Sequence, residues 1–132
     1  MTTMKPGKRS IHLPNVGHKA PIPSGARVGN LLCSSAISGK SPADGTLPAD
    51  GAAQCANAFT NLDALLEAGG ATLADVVKLS VMVTDDALRD AVNVHWLARF
   101  PDPDDRPARH TMTVPSLQQG MAVQLEVIAV IR

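Results

Sequence analysis

The chain reads as an α+β fold, a mixed sheet carrying two helices on one face. Three observations predict it. Two segments, Gly51–Ala68 and Asp86–Arg99, keep apolar residues at helical spacing. Short alternating or β-branched runs stand before, between and after them, most clearly Val76–Val83 and the closing MAVQLEVIAVI of Met121–Ile131. Pro and Gly clusters mark the joints. The order β-β-(β)-α-β-α-β-β, with a hairpin expected at each end, suits one layer of helices on one sheet.

A short first strand is expected near Ser10–Leu13. The stretch Pro14–Gly25 must then be loop, because Pro14, Pro21 and Pro23 cannot donate to a central ladder. Arg27–Ala36 follows as a strand. Ser41–Asp50 holds two PADG turn signals, with room for a short third strand between them. In the first helix Ala52, Cys55, Ala56, Phe59, Leu62, Leu65 and Leu66 form the apolar stripe. Asp50 is its expected N-cap, and Gly69-Gly70 its stop. Thr72–Asp75 is a spacer of about one helical turn, and Val76–Val83 a buried strand. In the second helix Leu88, Val92, Trp96 and Phe100 face inward until Pro101 ends the run. An acidic, Pro-rich loop delivers the chain to Arg109, followed by strands over Thr111–Val114 and Met121–Ile131.

At 132 residues the chain suits a single domain over 1–132, with 1–9 as a flexible N-terminus. Hydrophobic residues make up 45%, but aromatics only 2%, so the core is built from small aliphatic side chains. Each buries little area, which favours further burial between subunits. Lys plus Arg equals Asp plus Glu at 12 each, and neither sign forms a block. That balance lacks the basic surplus of a nucleic-acid binder. MTTMKPGKRS lacks the apolar segment of a signal peptide, and no run approaches the ~20 apolar residues of a membrane span. A cytoplasmic protein is expected, with no membrane and no nucleic-acid partner. Cys33 and Cys55 are expected to be free and buried. His12, His18, His95 and His110 are not spaced as a metal set, so no metal is expected. His18 in the early loop and His110 beside Arg109 either approach a pocket or are surface or structural residues, and the second reading is favoured because neither stands in a motif.

Arg109 has the one charged setting that suggests ligand work. A guanidinium fixed at the mouth of a strand is a two-pronged donor that fits a carboxylate. The sequence around it, Pro107-Ala108-Arg109-His110-Thr111-Met112-Thr113-Val114, then Leu117 and VQLEVIAV, resembles the closing signature of the YjgF/RidA family. These are small trimeric proteins that include 2-imino acid (enamine) deaminases. The resemblance runs from about Ile11 to Arg132. Gly29-Asn30-Leu31-Leu32-Cys33-Ser34-Ser35 is similar to the family's serine-ended strand, and Pro42-Ala43-Asp44-Gly45 to its hairpin tip. Gln54 with Asn61-Leu62 matches its first helix, and Val92-Asn93 its second.

The resemblance implies the chorismate-mutase-like fold, in which three sheets associate as a barrel with helices outside and ligand pockets between subunits. It implies no cofactor. In the family the arginine after Pro-Ala holds a substrate carboxylate, which is Arg109 here. A glutamate fifteen positions later helps activate water, and that position is Gln124. Gln can orient water but cannot be a general base. Glu126 shares its strand face, roughly 7 Å away, and either serves a ligand seated deeper in the site or is a paired carboxylate on that face, the second being favoured. Ile22 stands where the family often has tyrosine. Ser35 keeps the family's serine, though Ala36 and Ile37 replace the glycine and glutamine that usually follow. Ser35 bonds either a ligand or the local turn. Asn93 is either a site-shell residue or a helix-to-loop bond.

Two functions follow from the resemblance. The first is hydrolytic deamination of a small imine or enamine that bears a carboxylate, with Arg109 as clamp and Gln124 positioning water. The second is a non-catalytic protein of the same fold that binds or senses a small carboxylate, favoured by the change to Gln124.

Overall fold

The computed structural model describes residues 4–132; residues 1–3 of the expected flexible arm lie outside them. The strands are β1 (Ser10–Ile11), β2 (Gly25–Val28), β3 (Leu31–Ser34), β4 (Ile37–Ser38), β5 (Val76–Val83), β6 (Ala108–Thr113) and β7 (Val123–Val130). The helices are α1 (Gly51–Ala68) and α2 (Leu88–Arg99), and a 3-10 turn covers Leu73–Asp75. One sheet runs in the order β1-β2-β3-β7-β5-β6, with β4 also paired to β7. The expected α+β sheet with two helices on one face is therefore what the chain forms.

The first helix follows its sequence signals to the residue. Asp50 caps it by accepting from the Ala53 N–H at 3.2 Å, and Gly69 and Gly70 end it. Gly70 takes a left-handed φ of 79°. The stripe Cys55, Phe59, Leu62, Leu65 and Leu66 is buried, as are Val92, Trp96 and Phe100 of the second helix region. These pack on Leu79, Val81 and Val83 of β5 and on Val123, Leu125, Val127 and Ala129 of β7. The alternate residues of β7 (Gln124, Glu126, Ile128 and Val130) lie on the opposite, open face.

Several expectations are corrected. The predicted strand Arg27–Ala36 is a hairpin of β2 and β3, because Gly29, with φ 58°, turns the chain. No strand forms between the PADG turns; the extra strand is β4, which precedes them. The first strand stops at Ile11, and the second helix begins at Leu88, two residues late. The C-terminal hairpin does not exist. β6 pairs in parallel with β5, and β7 lies antiparallel on the other side of β5. The short crossover through α2 brings β6 back parallel, so β5 separates the two C-terminal strands. Both cysteines are free, but only Cys55 is buried. Cys33 is exposed because it alternates with the buried Leu32 and faces the open side. Burial, and then the Asp50 carboxylate, pushes the Cys55 thiol up to about 11, which leaves it inert.

Two positions make the packing testable. A Cβ on Gly39 would lie 2.5 Å from the Gln54 carbonyl oxygen and 2.7 Å from its Cα. Backbone cannot swing aside as a side chain would, so Gly39→Ala should destabilise by about 1–3 kcal/mol. In a thermal melt this reads as a Tm lower by roughly 3–6 °C for each kcal/mol. Asp75 is buried and accepts from the Thr72 N–H at 2.9 Å and the Arg132 N–H at 3.3 Å. The Thr72 N–H above all, and then Arg132, hold its carboxyl below the usual range. Its contribution is present above the unfolded value of about 3.9 and is lost as pH falls through the folded one. Asp75→Asn should therefore melt below the native chain at pH 7, and the gap should close on acidification below about pH 4.

Candidate functional site

Three amides on one face of α1 set the frame of the site. Gln54, Asn57 and Asn61 are spaced three and four residues apart, so they project from the same side of the helix. Gln54 is buried; its amide nitrogen donates to the Pro48 carbonyl at 2.8 Å, and its oxygen accepts from the Ala122 N–H at 2.7 Å. Asn57 donates to the Gly39 carbonyl at 3.1 Å. Asn61, also buried, donates to the carbonyls of Ser38 and Lys40, both at 2.9 Å. The segment after β4 and the loop before β7 are thereby both hung on α1.

Between these two segments and the early loop lies a cavity of about 300 Å³. The early loop contributes His18, Lys19 and Ile22; the β4 region contributes Ala36, Ser38 and Lys40. Gln118, Gln119 and Met121 line it from the loop before β7, and Gln124 from β7 itself. Ser38 and Gln124 are direct partners in the β4–β7 pairing. Gln119 holds a left-handed φ of 61° at the rim, a conformation uncommon outside glycine. No aspartate or glutamate lines the cavity.

The predicted site residues separate into two groups. Gln124 and Ile22 line this cavity, and Ile22 is half exposed there. His18, read from sequence as surface or structural, lines it too. Ser35, Asn93 and Arg109 do not. The backbone N–H of Ser35 donates to the Ser24 carbonyl at 2.9 Å, and Asn93 is exposed on α2. It is Ser34 whose hydroxyl meets the sheet, accepting from the Val127 N–H at 2.8 Å. Glu126 sits opposite Ser80, exposed, and joins no ion pair among the described residues, so its expected pairing is corrected. The other histidines lie elsewhere: His95 stacks on Phe59, while His12 and His110 are exposed. No group of three or more His, Cys, Asp or Glu among the described residues is placed to hold a metal.

Arg109 lies on β6, the outermost strand of the sheet. Its guanidinium carbon sits 5.2 Å from the centre of the Trp96 ring, and its Nε donates to the Thr111 hydroxyl at 2.7 Å. It therefore points to the helix-covered side, whereas Gln124 faces the open side. Burial, and then the charge of Arg89, lower its affinity for the proton, yet an arginine stays charged. Among the described residues no carboxylate pairs with it, and Asp86 is taken by Arg89 at 3.1 Å and by the Thr113 hydroxyl. Arg109 is thus a half-buried, preorganised cation over an aromatic face, open to an incoming anion.

Lys19 and Lys40 carried no sequence signal as site residues, and for His18 the sequence left a pocket position open beside the surface reading. They reach the cavity only through the β4–β7 pairing and the course of the early loop, neither of which local periodicity encodes.

Comparison with known proteins agrees with this architecture. The profile of the endoribonuclease L-PSP family matches residues 20–131. The 2-iminobutanoate/2-iminopropanoate deaminase of Escherichia coli K12 is 34% identical over 85% of this chain and 88% of its own. A RutC family protein of Haemophilus influenzae is 35% identical over 85% and 92%. The crystal structure of the E. coli YjgF gene product superposes with a TM-score of 0.83 at 32% identity, covering 94% of this chain and 99% of that one. RidA from an Antarctic Psychrobacter gives 0.81 at 29%, covering 99% and 100%. Among the described residues no helix is long and apolar enough to cross a membrane. On the strength of the profile match, the sequence identity and the shared fold, this chain belongs to the YjgF/RidA family.

Proposed function

We propose that the protein binds a small carboxylate-bearing imine or enamine in a cleft between copies of itself and hydrolyses it to the corresponding keto acid and ammonia. The observation that carries this reading is the separation of Arg109 from the Gln124 cavity, on opposite sides of one sheet. A single chain cannot bring the two to one ligand. A second copy laid against the open face, with its outermost strand at the cavity mouth, can supply Arg109 to the neighbour's Gln124. The open face supports such contact. Leu31 and Val130 are cross-strand partners there, as are Cys33 and Ile128, and all four are exposed. Exposed apolar rows of this kind favour burial against another copy. The homotrimer implied by the resemblance uses three such contacts, and the cytoplasm is its expected location.

Within the cleft, Arg109 takes the substrate carboxylate and Gln124 orients water towards the imine carbon. Gln124 cannot accept the proton, and no carboxylate lines the cavity. His18 is the imidazole of the lining, with ring nitrogens that can hydrogen-bond a water there. Imines are already labile to water, so positioning and a fixed cation supply much of the remaining help. Binding without turnover is the second reading, and the amide at 124 is the observation that favours it.

Sedimentation should show a trimer for both the native chain and Arg109→Ala. The variant should lose at least tenfold in affinity for 2-oxobutanoate, read by calorimetry. A monomer, or unchanged affinity, argues against the reading. With imines generated in situ from amino acids, Gln124→Glu should raise turnover modestly, by less than about tenfold. Burial lifts a carboxyl towards the range of a base, while the nearby cations oppose the lift. Strong native turnover that falls on introducing Glu would show Gln124 to be adapted to its own substrate.

A further inference from the structure

The cavity has a charge pattern that a single carboxylate does not explain. The chain as a whole is neutral, with 12 basic and 12 acidic residues, yet the cavity lining holds Lys19 and Lys40 and no acid. Arg109 of a second copy, on the reading above, adds a third cation. One carboxylate satisfies that arginine and leaves two ammonium groups facing the same ligand.

Lys40 is not a surface lysine that happens to lie near. It is half-buried, and its own backbone is tied down on both sides. Its carbonyl accepts from Asn61 at 2.9 Å and its N–H donates to the Ser38 hydroxyl at 3.3 Å. The preceding Gly39 carbonyl accepts from Asn57 at 3.1 Å. Lys40 therefore lines the cavity from a fixed backbone, and little backbone entropy is lost when a ligand arrives. The space agrees. At about 300 Å³ the cavity has the volume of roughly ten waters, more than a three- or four-carbon acid requires. Ile22 and Ala36 give an apolar wall along which a short chain can lie between its charged ends.

We infer that the ligand carries a second anionic group, received by Lys40 with Lys19, at the end of the cavity away from the partner's arginine. This rests on the proposed function and specifies its substrate class: a 2-imino acid whose side chain ends in a carboxylate, or a phosphate-type group in the same place. The hydrolysis is unchanged by this addition. Water oxygen bonds to the imine carbon as the C=N pair moves to nitrogen, and a proton passes from that water to the nitrogen. The remaining hydroxyl proton then passes to the amine nitrogen, and the C–N bond breaks as C=O forms, releasing ammonia. The second anion takes no part in bond making and sets only which substrate is held.

Calorimetry on the full-length protein at low salt tests it with three probes: 2-oxobutanoate, 2-oxoglutarate and phosphonopyruvate. At least one of the two dianionic probes should bind tenfold or more tighter than 2-oxobutanoate. The preference should shrink as salt is raised. In Lys40→Gln the ratio should fall towards one, and in Lys40→Arg it should largely return, which a mere loss of packing would not produce. Lys19→Gln, on the exposed loop, should lower the ratio as well. The tighter of the two dianions identifies the second group as carboxylate or phosphate. Equal affinity for all three probes, tightest binding of 2-oxobutanoate, or a preference that survives both lysine substitutions overturns the inference and leaves the proposed function standing. Failure of all three probes to bind overturns both.

Discussion

The constraint on which the site depends is the row of amides on α1. Loop backbone that runs close to a helix must find partners for its carbonyls and N–H groups. Here Gln54, Asn57 and Asn61 supply them for Ser38, Gly39, Lys40, Pro48 and Ala122. Each bond nets only about 1 kcal/mol, but stripping a buried partner costs about 1–3 kcal/mol. The row therefore acts less as a source of stability than as a fixture. It sets the distance between the two walls of the cavity, and Gly39 is the residue that lets the β4 segment approach the helix closely enough for the bonds to form. One acceptor in the row, Asn61 Oδ1, is buried without a protein partner. Asn61 and His18 border a second space of only about 10 Å³.

What local signals encode was legible. The N-cap Asp50, the stripe of α1 and the Gly69-Gly70 stop lie within a few residues of one another, and the helix formed where they place it. The β-branched run Val76–Val83 likewise became β5. What failed was pairing. A run of apolar residues does not say whether Gly29 interrupts a strand or turns it, nor that β5 would come between β6 and β7. The site divides the same way. Arg109, Gln124 and Ile22 were singled out through motif positions close in sequence to a recognisable strand or glycine. Lys19 and Lys40 were not, because a lysine in a loop reads as solvated until a long-range pairing closes a wall opposite it, and for the same reason His18 stayed divided between a pocket and a surface position.

The opposite facing of Arg109 and Gln124 follows from alternation along strands, and it has a structural consequence. An arginine on the open side would be fifteen residues from Gln124 in sequence and near it in one chain. Arg109 instead rests on Trp96, on the side where the helices pack, at the sheet's outer edge. The aromatic face holds a cation that has no acid of its own, and Asp86 is kept from it by Arg89 and Thr113. A charge so prepared, with burial already working against it, gains more from an arriving anion than a solvated one does.

The amide at position 124 and the lysines around it belong to a single electrostatic arrangement. A glutamate there would face Lys40 and Lys19 across a small cavity and neutralise one of them internally. A glutamine gives the same length and hydrogen-bonding reach without the charge. None of the twelve acids lines the cavity, although Glu126 lies further along the same face of β7, so overall neutrality coexists with a lining whose only charged residues are Lys19 and Lys40, with His18 beside them. It is the distribution of charge, not its sum, that sets the potential a ligand meets. On this reading the protein exchanged a proton-accepting carboxylate for the ability to hold a more highly charged substrate. The loss of the general base and the gain of the second anion site are then two aspects of the same substitution.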